Sequence, residues 1–255
     1  MGGVPITIIT ERNTGSRDGA ADAARNAGAE SGRLKAADLA TLMTLFSPAF
    51  PTGGFAYSHG VEAAVRGGRV TNGNAVFDWI GVVLSRGSGW NDLVLLAEAH
   101  RLTRAADGDG LLDLAELAFA LSGSAERRME TLKLGTAFRE AASSWTKGRS
   151  LLPTDAEIAM PVAAGEVTAL AGLPLRDALT AHAQNFAASL TSAAVRLVPL
   201  GQGEWVAVLH ALAPLIAEAA ERAAGSTLDD LGSAALMSDI AAMQHETLET
   251  RLFRS

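Results

Sequence analysis

From Leu34 onward the apolar residues of this chain recur at steps of three and four, and no period-two run flanked by turn residues argues for a strand. That period constrains the fold most, because it sets the apolar side chains along one face of a helix turning once every 3.6 residues. The clearest stripe is Leu175, Leu179, Ala183, Phe186, Leu190, Ala194 and Leu197. Pro174 suits the first turn of that helix and Pro199 stops it. Further helices are predicted over residues 34–46, 58–66, 74–86, 91–106, 111–122 and 124–145. Another is expected to open at Thr154, where Glu157 completes a capping box, with Pro161 kinking or restarting it. The last long helix should run from Glu204 to Ala224, interrupted by Pro214 and closed by Gly225. Brief Gly- and Pro-containing turns join these elements. The expected fold is therefore all-α: a single compact helical domain of about nine or ten helices over residues 34–255, without a repeat of fixed period. Residues 1–33 read as a mobile N-terminal extension, since after the short apolar patch Val4–Ile9 they offer too little burial to offset their own ordering.

Charge and composition exclude several function classes. The 255 residues include 21 basic and 28 acidic side chains, a formal charge of −7. Such a surface repels phosphate backbones, and no basic run provides a local cationic groove, so nucleic-acid binding is not expected. With no cysteine, disulfides, thiolate metal sites and thiol nucleophiles are ruled out. The uncharged stretch 178–195 is too polar to span a membrane, and no basic region with an apolar core opens the chain. No membrane partner is expected, and a cytoplasmic location is.

Searches for chemistry find little. The five histidines, at 59, 100, 182, 210 and 245, share no helical turn. His245 and Glu249 can lie on one helix face, but a third metal ligand is missing. Gly201-Gln202-Gly203 begins like a dinucleotide fingerprint but has Val206 where a third glycine belongs. Asp107, Asp109 and Asp113 fail as a calcium loop, because Leu111 and Ala118 occupy ligand positions. Neither a catalytic residue, a metal site nor a cofactor is expected.

Two segments are unusual. Ser47-Pro48-Ala49-Phe50-Pro51-Thr52-Gly53-Gly54-Phe55-Ala56-Tyr57-Ser58-His59-Gly60 puts three aromatic rings on a Gly/Pro loop, as anchors tucked beneath it or as a contact surface. Ala56-Tyr57-Ser58-His59-Gly60 misses a nucleophile elbow by one glycine, so a serine hydrolase built around Ser58 is the alternative reading, against Ser58 as the cap of the next helix. The second segment is the tail, where Leu248, Leu252 and Phe253 alternate with Arg251 and Arg254 before Ser255. An amphipathic end with two guanidinium groups suits docking, on its own domain or on another protein.

These segments carry a resemblance. The loop with Glu62, the middle helix with Arg128, Glu130, Thr131 and Gly135, the string Val198-Pro199-Leu200-Gly201-Gln202, and the ending His245-Glu246 with Arg251 to Ser255 together resemble the UreF family of urease accessory proteins. The resemblance implies an all-α, non-catalytic chaperone for nickel insertion into apo-urease, bridging UreD (UreH) and the GTPase UreG, with a homodimer as the working form. It implies partner contacts at Pro51, Gly53, Gly54, Phe55, Tyr57, Ser58, Gly201, Gln202, Arg251, Leu252, Phe253, Arg254 and Ser255. From the chemistry of these residues, Arg254 is expected to hydrogen-bond carbonyls of the loop from Pro51 to Tyr57, which a Gly-rich backbone leaves open.

Overall fold

A computed structural model describes residues 34–255, and the expectations for residues 1–33 lie outside the described residues. Ala37–Ser255 forms one compact unit. Among the described residues every regular element is helical, with ten helices of six residues or more, as the apolar period requires. In chain order they are α1 (Ala36–Leu45), a 3-10 turn (Gly54–Ala56), α2 (Val61–Arg66), α3 (Gly73–Arg86), α4 (Ser88–Ala105), α5 (Gly108–Ala120), α6 (Ala125–Ala141) and the single turn α7 (Ser143–Thr146). Then follow α8 (Met160–Leu170), α9 (Leu175–Leu197), α10 (Gln202–Ala224), a second 3-10 turn (Leu228–Asp230) and α11 (Leu236–His245).

Polar side chains define several starts. Asn72 accepts from the Ala75 N–H at 3.0 Å, Asp107 from Gly110 at 2.9 Å and Ser124 from Arg127 at 3.2 Å, each satisfying a backbone donor that a first turn leaves free. The core lies where α4 packs on α8, with Leu93, Leu96, Ala97, Val162, Ala164 and Val167 all buried. The stripe read on α9 closes it with Leu179, Ala183 and Leu190. Beside this core Phe138 meets Phe46 and Phe50 at ring-centroid separations of 5.8 and 5.4 Å. α6 approaches the start of α8 closely, and a Cβ at Gly135 would press into the Ile158 carbonyl.

Four local expectations are corrected or narrowed. Thr154 and Glu157 form no capping box, because residues 151–159 are irregular and the helix begins at Met160. Pro161 sits in its first turn, where no N–H is missed, and so starts the helix rather than kinking it. Pro214 lies inside α10 without interrupting it. Ser58 does not itself begin a helix, since α2 starts at Val61 after a left-handed Gly60, but its hydroxyl oxygen accepts the Glu62 N–H of the first turn at 3.3 Å, so it keeps a capping contact. By length and composition alone Gly203–Ala224 could cross a membrane; here it packs along α9 and α3 with Leu212, Ile216, Ala220 and Ala223 buried.

Candidate partner-docking site

The loop before α2 is shaped by backbone conformation. Gly53 takes φ 78°, and His59 and Gly60 follow one another in the left-handed region at 52° and 77°. At Gly60 only glycine fits, since a Cβ would stand 2.6 Å from the Ala242 backbone nitrogen of α11. The three aromatic rings divide the two roles between them. Phe50 and Tyr57 are buried anchors, whereas Phe55 is 71% exposed.

α2 and α6 then contribute three carboxylates to one buried patch: Glu62, Glu126 and Glu130. The tail lies across them as an extended run of acceptors and donors. Glu62 Oε1 accepts the Leu252 N–H at 2.9 Å, and Oε2 accepts the Phe253 N–H at 2.9 Å. The Arg254 N–H donates to Ala56 O at 2.8 Å and the Ser58 N–H to Ser255 O at 2.8 Å, a carbonyl that also takes the Ser58 hydroxyl. Ser255 Oγ donates to Glu130 Oε2 at 2.6 Å, and Arg251 pairs with Glu126. From the end of α9, Arg196 donates to Phe55 O at 3.4 Å and lies 5.2 Å from the Phe253 ring centroid. The loop and the tail therefore form one surface, with Phe253 and Ser255 buried in it and Leu252 and Phe55 outward.

Beneath the tail the charges are paired. His245 places Nδ1 2.7 Å from Glu126 Oε2 and Nε2 3.3 Å from Glu62 Oε2. Arg66 donates to Glu62 Oε1 at 2.9 Å. Glu130 faces Arg127 at 2.9 Å and His59 Nε2 at 2.7 Å. Glu246 accepts from the Ala125 N–H at 2.7 Å, capping α6. Burial pushes the Glu62 carboxyl up, but the Leu252 and Phe253 N–H donors, His245 and Arg66 outweigh it and hold the group below its ordinary value. At Glu130 burial is likewise outweighed, by Arg127 first and then His59 and Ser255, leaving it at about 2.

Several expected residues fall elsewhere. Gly201 and Gln202 open α10, where Glu204 accepts from the Gly201 N–H at 3.1 Å. The Arg254 guanidinium is not the group that meets the loop carbonyls: its own backbone N–H and the Arg196 side chain do so, because the tail runs edge-on to the loop. His245 is claimed by Glu62 and Glu126 rather than by Glu249, and among the described residues no group of three or more His, Asp or Glu side chains is arranged to hold a metal ion. Ser58 is fully buried, and its hydroxyl proton is committed to Ser255. Glu126 and Arg127 were missed by sequence reasoning; His59, Glu62, Glu130 and His245 stood within quoted motifs, without the pairing that the structure gives them.

The family model for UreF matches residues 70–213, more than half of the chain. The chain belongs to the UreF family. Urease accessory protein UreF of Brucella ovis is 48% identical over 218 residues, covering 85% of this chain and 94% of the relative. The UreF proteins of Mesorhizobium japonicum and Rhizobium leguminosarum bv. viciae are 46% and 48% identical over 217 residues, each covering 85% of this chain and 96% of the relative. UreF membership gives the chain an accessory role in urease maturation. The stretch matched by the UreF model holds α3 to α9 and the first half of α10, the framework on which the loop and the tail are mounted.

Proposed function

We propose that this UreF chain is a non-catalytic chaperone, working in the cytoplasm as a homodimer, that bridges UreD (UreH) and the GTPase UreG during nickel insertion into apo-urease. The supporting observation is the fused loop-and-tail surface, in which main-chain bonds from Ser58 and Arg254 fix the backbone while Phe55 and Leu252, 71% and 62% exposed, face outward. Apolar side chains on a rigid rim are the usual anchors of a protein interface, with arginines beside them for planar hydrogen bonding. Pro51, Gly53, Gly54 and Tyr57 hold the loop side of this surface, and Arg251, Phe253 and Ser255 the tail side. Gly201 and Gln202 are a separate contact at the start of α10.

The test is co-expression with the other accessory proteins followed by size-exclusion chromatography. Arg254→Ala and Phe55→Ala should weaken binding of the GTPase by about thirtyfold, the scale of an interface anchor (about 2 kcal/mol), and so deplete it from the co-eluting complex, with helix content unchanged. Normal co-elution of both variants would refute the reading. The Ser58 hydrolase alternative predicts fluorophosphonate labelling of the purified chain; a buried hydroxyl donating to Ser255 speaks against it.

A further inference from the structure

A cleft of about 70 Å³ opens between α6 and α9 beside the loop, bordered by Thr52, Gly54 and Tyr57. His182, on α9, lines it and is only 5% exposed, yet neither of its ring nitrogens has a hydrogen-bond partner. Among the described residues no other side chain carries two such buried, unpartnered atoms. Phe46 meets the ring edge-on at a centroid separation of 5.7 Å and so fixes it without bonding it. His59, which also lines the cleft, adds a further unpartnered nitrogen, Nδ1, while its Nε2 lies 2.7 Å from Glu130. Burial takes His182 down to about 4 and His59 below its ordinary value, so at neutral pH both rings are uncharged and each keeps a lone pair free. Unpartnered buried polar groups cost stability, which leaves His182 without a structural reason in the isolated chain.

Charge points to the occupant. Asp92 and Glu130 both line the cleft against a single guanidinium, that of Arg127, so one negative charge is left over. Arg127 stands 2.9 Å from Glu130, and half-buried Asp92 forms no ion pair within the described residues. On the reading that the loop and tail meet a protein partner, on which this step rests, we propose that the cleft receives the ammonium tip of a lysine from that partner. An ammonium is compact and donates three hydrogen bonds. His182, Nδ1 of His59 and the Asp92 carboxylate supply three acceptors, and Leu134, Met160 and Phe186 an apolar wall for the stem. The spare carboxylate offsets the desolvation of the incoming charge, which an apolar cleft would leave uncompensated.

The first test needs no partner. The full-length chain is titrated with n-butylammonium chloride at neutral pH and constant ionic strength, and the histidine ring nitrogens are followed by NMR. His182 and His59 should shift saturably, and n-butanol, of the same shape but uncharged, should leave them unmoved. No saturable shift, as in a cleft that holds only water, or an equal shift with n-butanol would overturn the proposal, and neither outcome needs a variant to fold. His182→Phe then removes both nitrogens while leaving a ring for Phe46 to pack on. It should keep or raise the urea midpoint of the isolated chain, since no bond within the chain is lost, yet weaken n-butylammonium binding and partner co-elution each by about tenfold, the scale of one hydrogen bond to a charged group. Co-elution at the wild-type level would also overturn the proposal, the cleft then taking a free amine rather than a lysine of the partner. If Phe55→Ala still releases the partner in that case, the docking reading survives and only the lysine site falls.

Discussion

Glu62→Gln removes one negative charge from the centre of the tail dock without changing its shape. Oε2 of Glu62 takes the Phe253 N–H and lies 3.3 Å from His245, and Oε1 takes the Leu252 N–H and the Arg66 guanidinium. An amide has one carbonyl oxygen, so whichever way the substituted side chain is turned its NH₂ faces a donor, either Arg66 or Phe253. Hydrogen bonds to a charged group contribute about 1.5–3 kcal/mol net. With two tail donors weakened and one donor left facing another, tail docking should lose about 2–4 kcal/mol, which is about thirtyfold to about a thousandfold in protection. Hydrogen exchange at Leu252 and Phe253 reads this directly, with urea unfolding run in parallel to separate tail release from loss of the domain. The pH course follows from the sign of the shift. The folded-state pKa of Glu62 is below its ordinary 4.5, so its contribution is complete above that value and is lost as pH falls through the folded value. The gap between wild type and variant should therefore be full at neutral pH and narrow below pH 4.5. Protection within about threefold of wild type at neutral pH, under half the smallest expected loss in free energy, would refute the claim that Glu62 holds the tail.

Three further outcomes follow from the packing and charges. Gly135→Ala should cost at least about 2 kcal/mol by urea unfolding, because its methyl group must displace the Ile158 backbone, while Gly123→Ala, with nothing within 4 Å, should cost under about 0.5 kcal/mol. Glu157→Ala should change stability by less than about 0.5 kcal/mol, since Glu157 is exposed and caps no helix; a loss of about 1 kcal/mol would restore the capping box. Asp92→Asn should stabilise the chain at pH 7 by up to about 3 kcal/mol, less whatever longer-range attraction to Arg127 is lost. The folded-state pKa is raised from 3.8 to about 6, so ionisation penalises the folded chain increasingly between those values, and the gain should vanish below pH 3.8 in thermal unfolding.

The helices were legible because each long one carries its own period. Leu179, Ala183, Phe186, Leu190 and Ala194 lie on the buried face that their spacing predicts. Expectations failed where two local signals competed. Thr154 with Glu157 looks like a start, but Pro153 precedes it and Pro161 follows, and Arg139 binds the carbonyls of Pro153 and Thr154, holding the segment in an irregular path that a helix would break. Pro214 was expected to interrupt α10, yet burial of Leu212, Ile216, Ala219 and Ala220 on the same face outweighs the one hydrogen bond the ring removes.

The dock is a different case. Its carboxylates stand at 62, 126 and 130 and its tail at 251–255, so only the packing of α2, α6 and α11 brings them together. Composition argues against burying three acids at all, since an unpaired carboxylate in a core is costly. What makes the burial tolerable is that each acid meets donors from the tail: main-chain N–H groups at Glu62, a hydroxyl at Glu130, a guanidinium at Glu126. Main-chain donors have no residue signature, which is why the motif could be seen while its geometry could not. The dependence runs both ways: lifting the tail removes donors from all three carboxylates at once. The dock and the surface it carries should accordingly form or come apart as a unit, and a tail half-released, with Phe253 free while Ser255 stays on Glu130, should not accumulate.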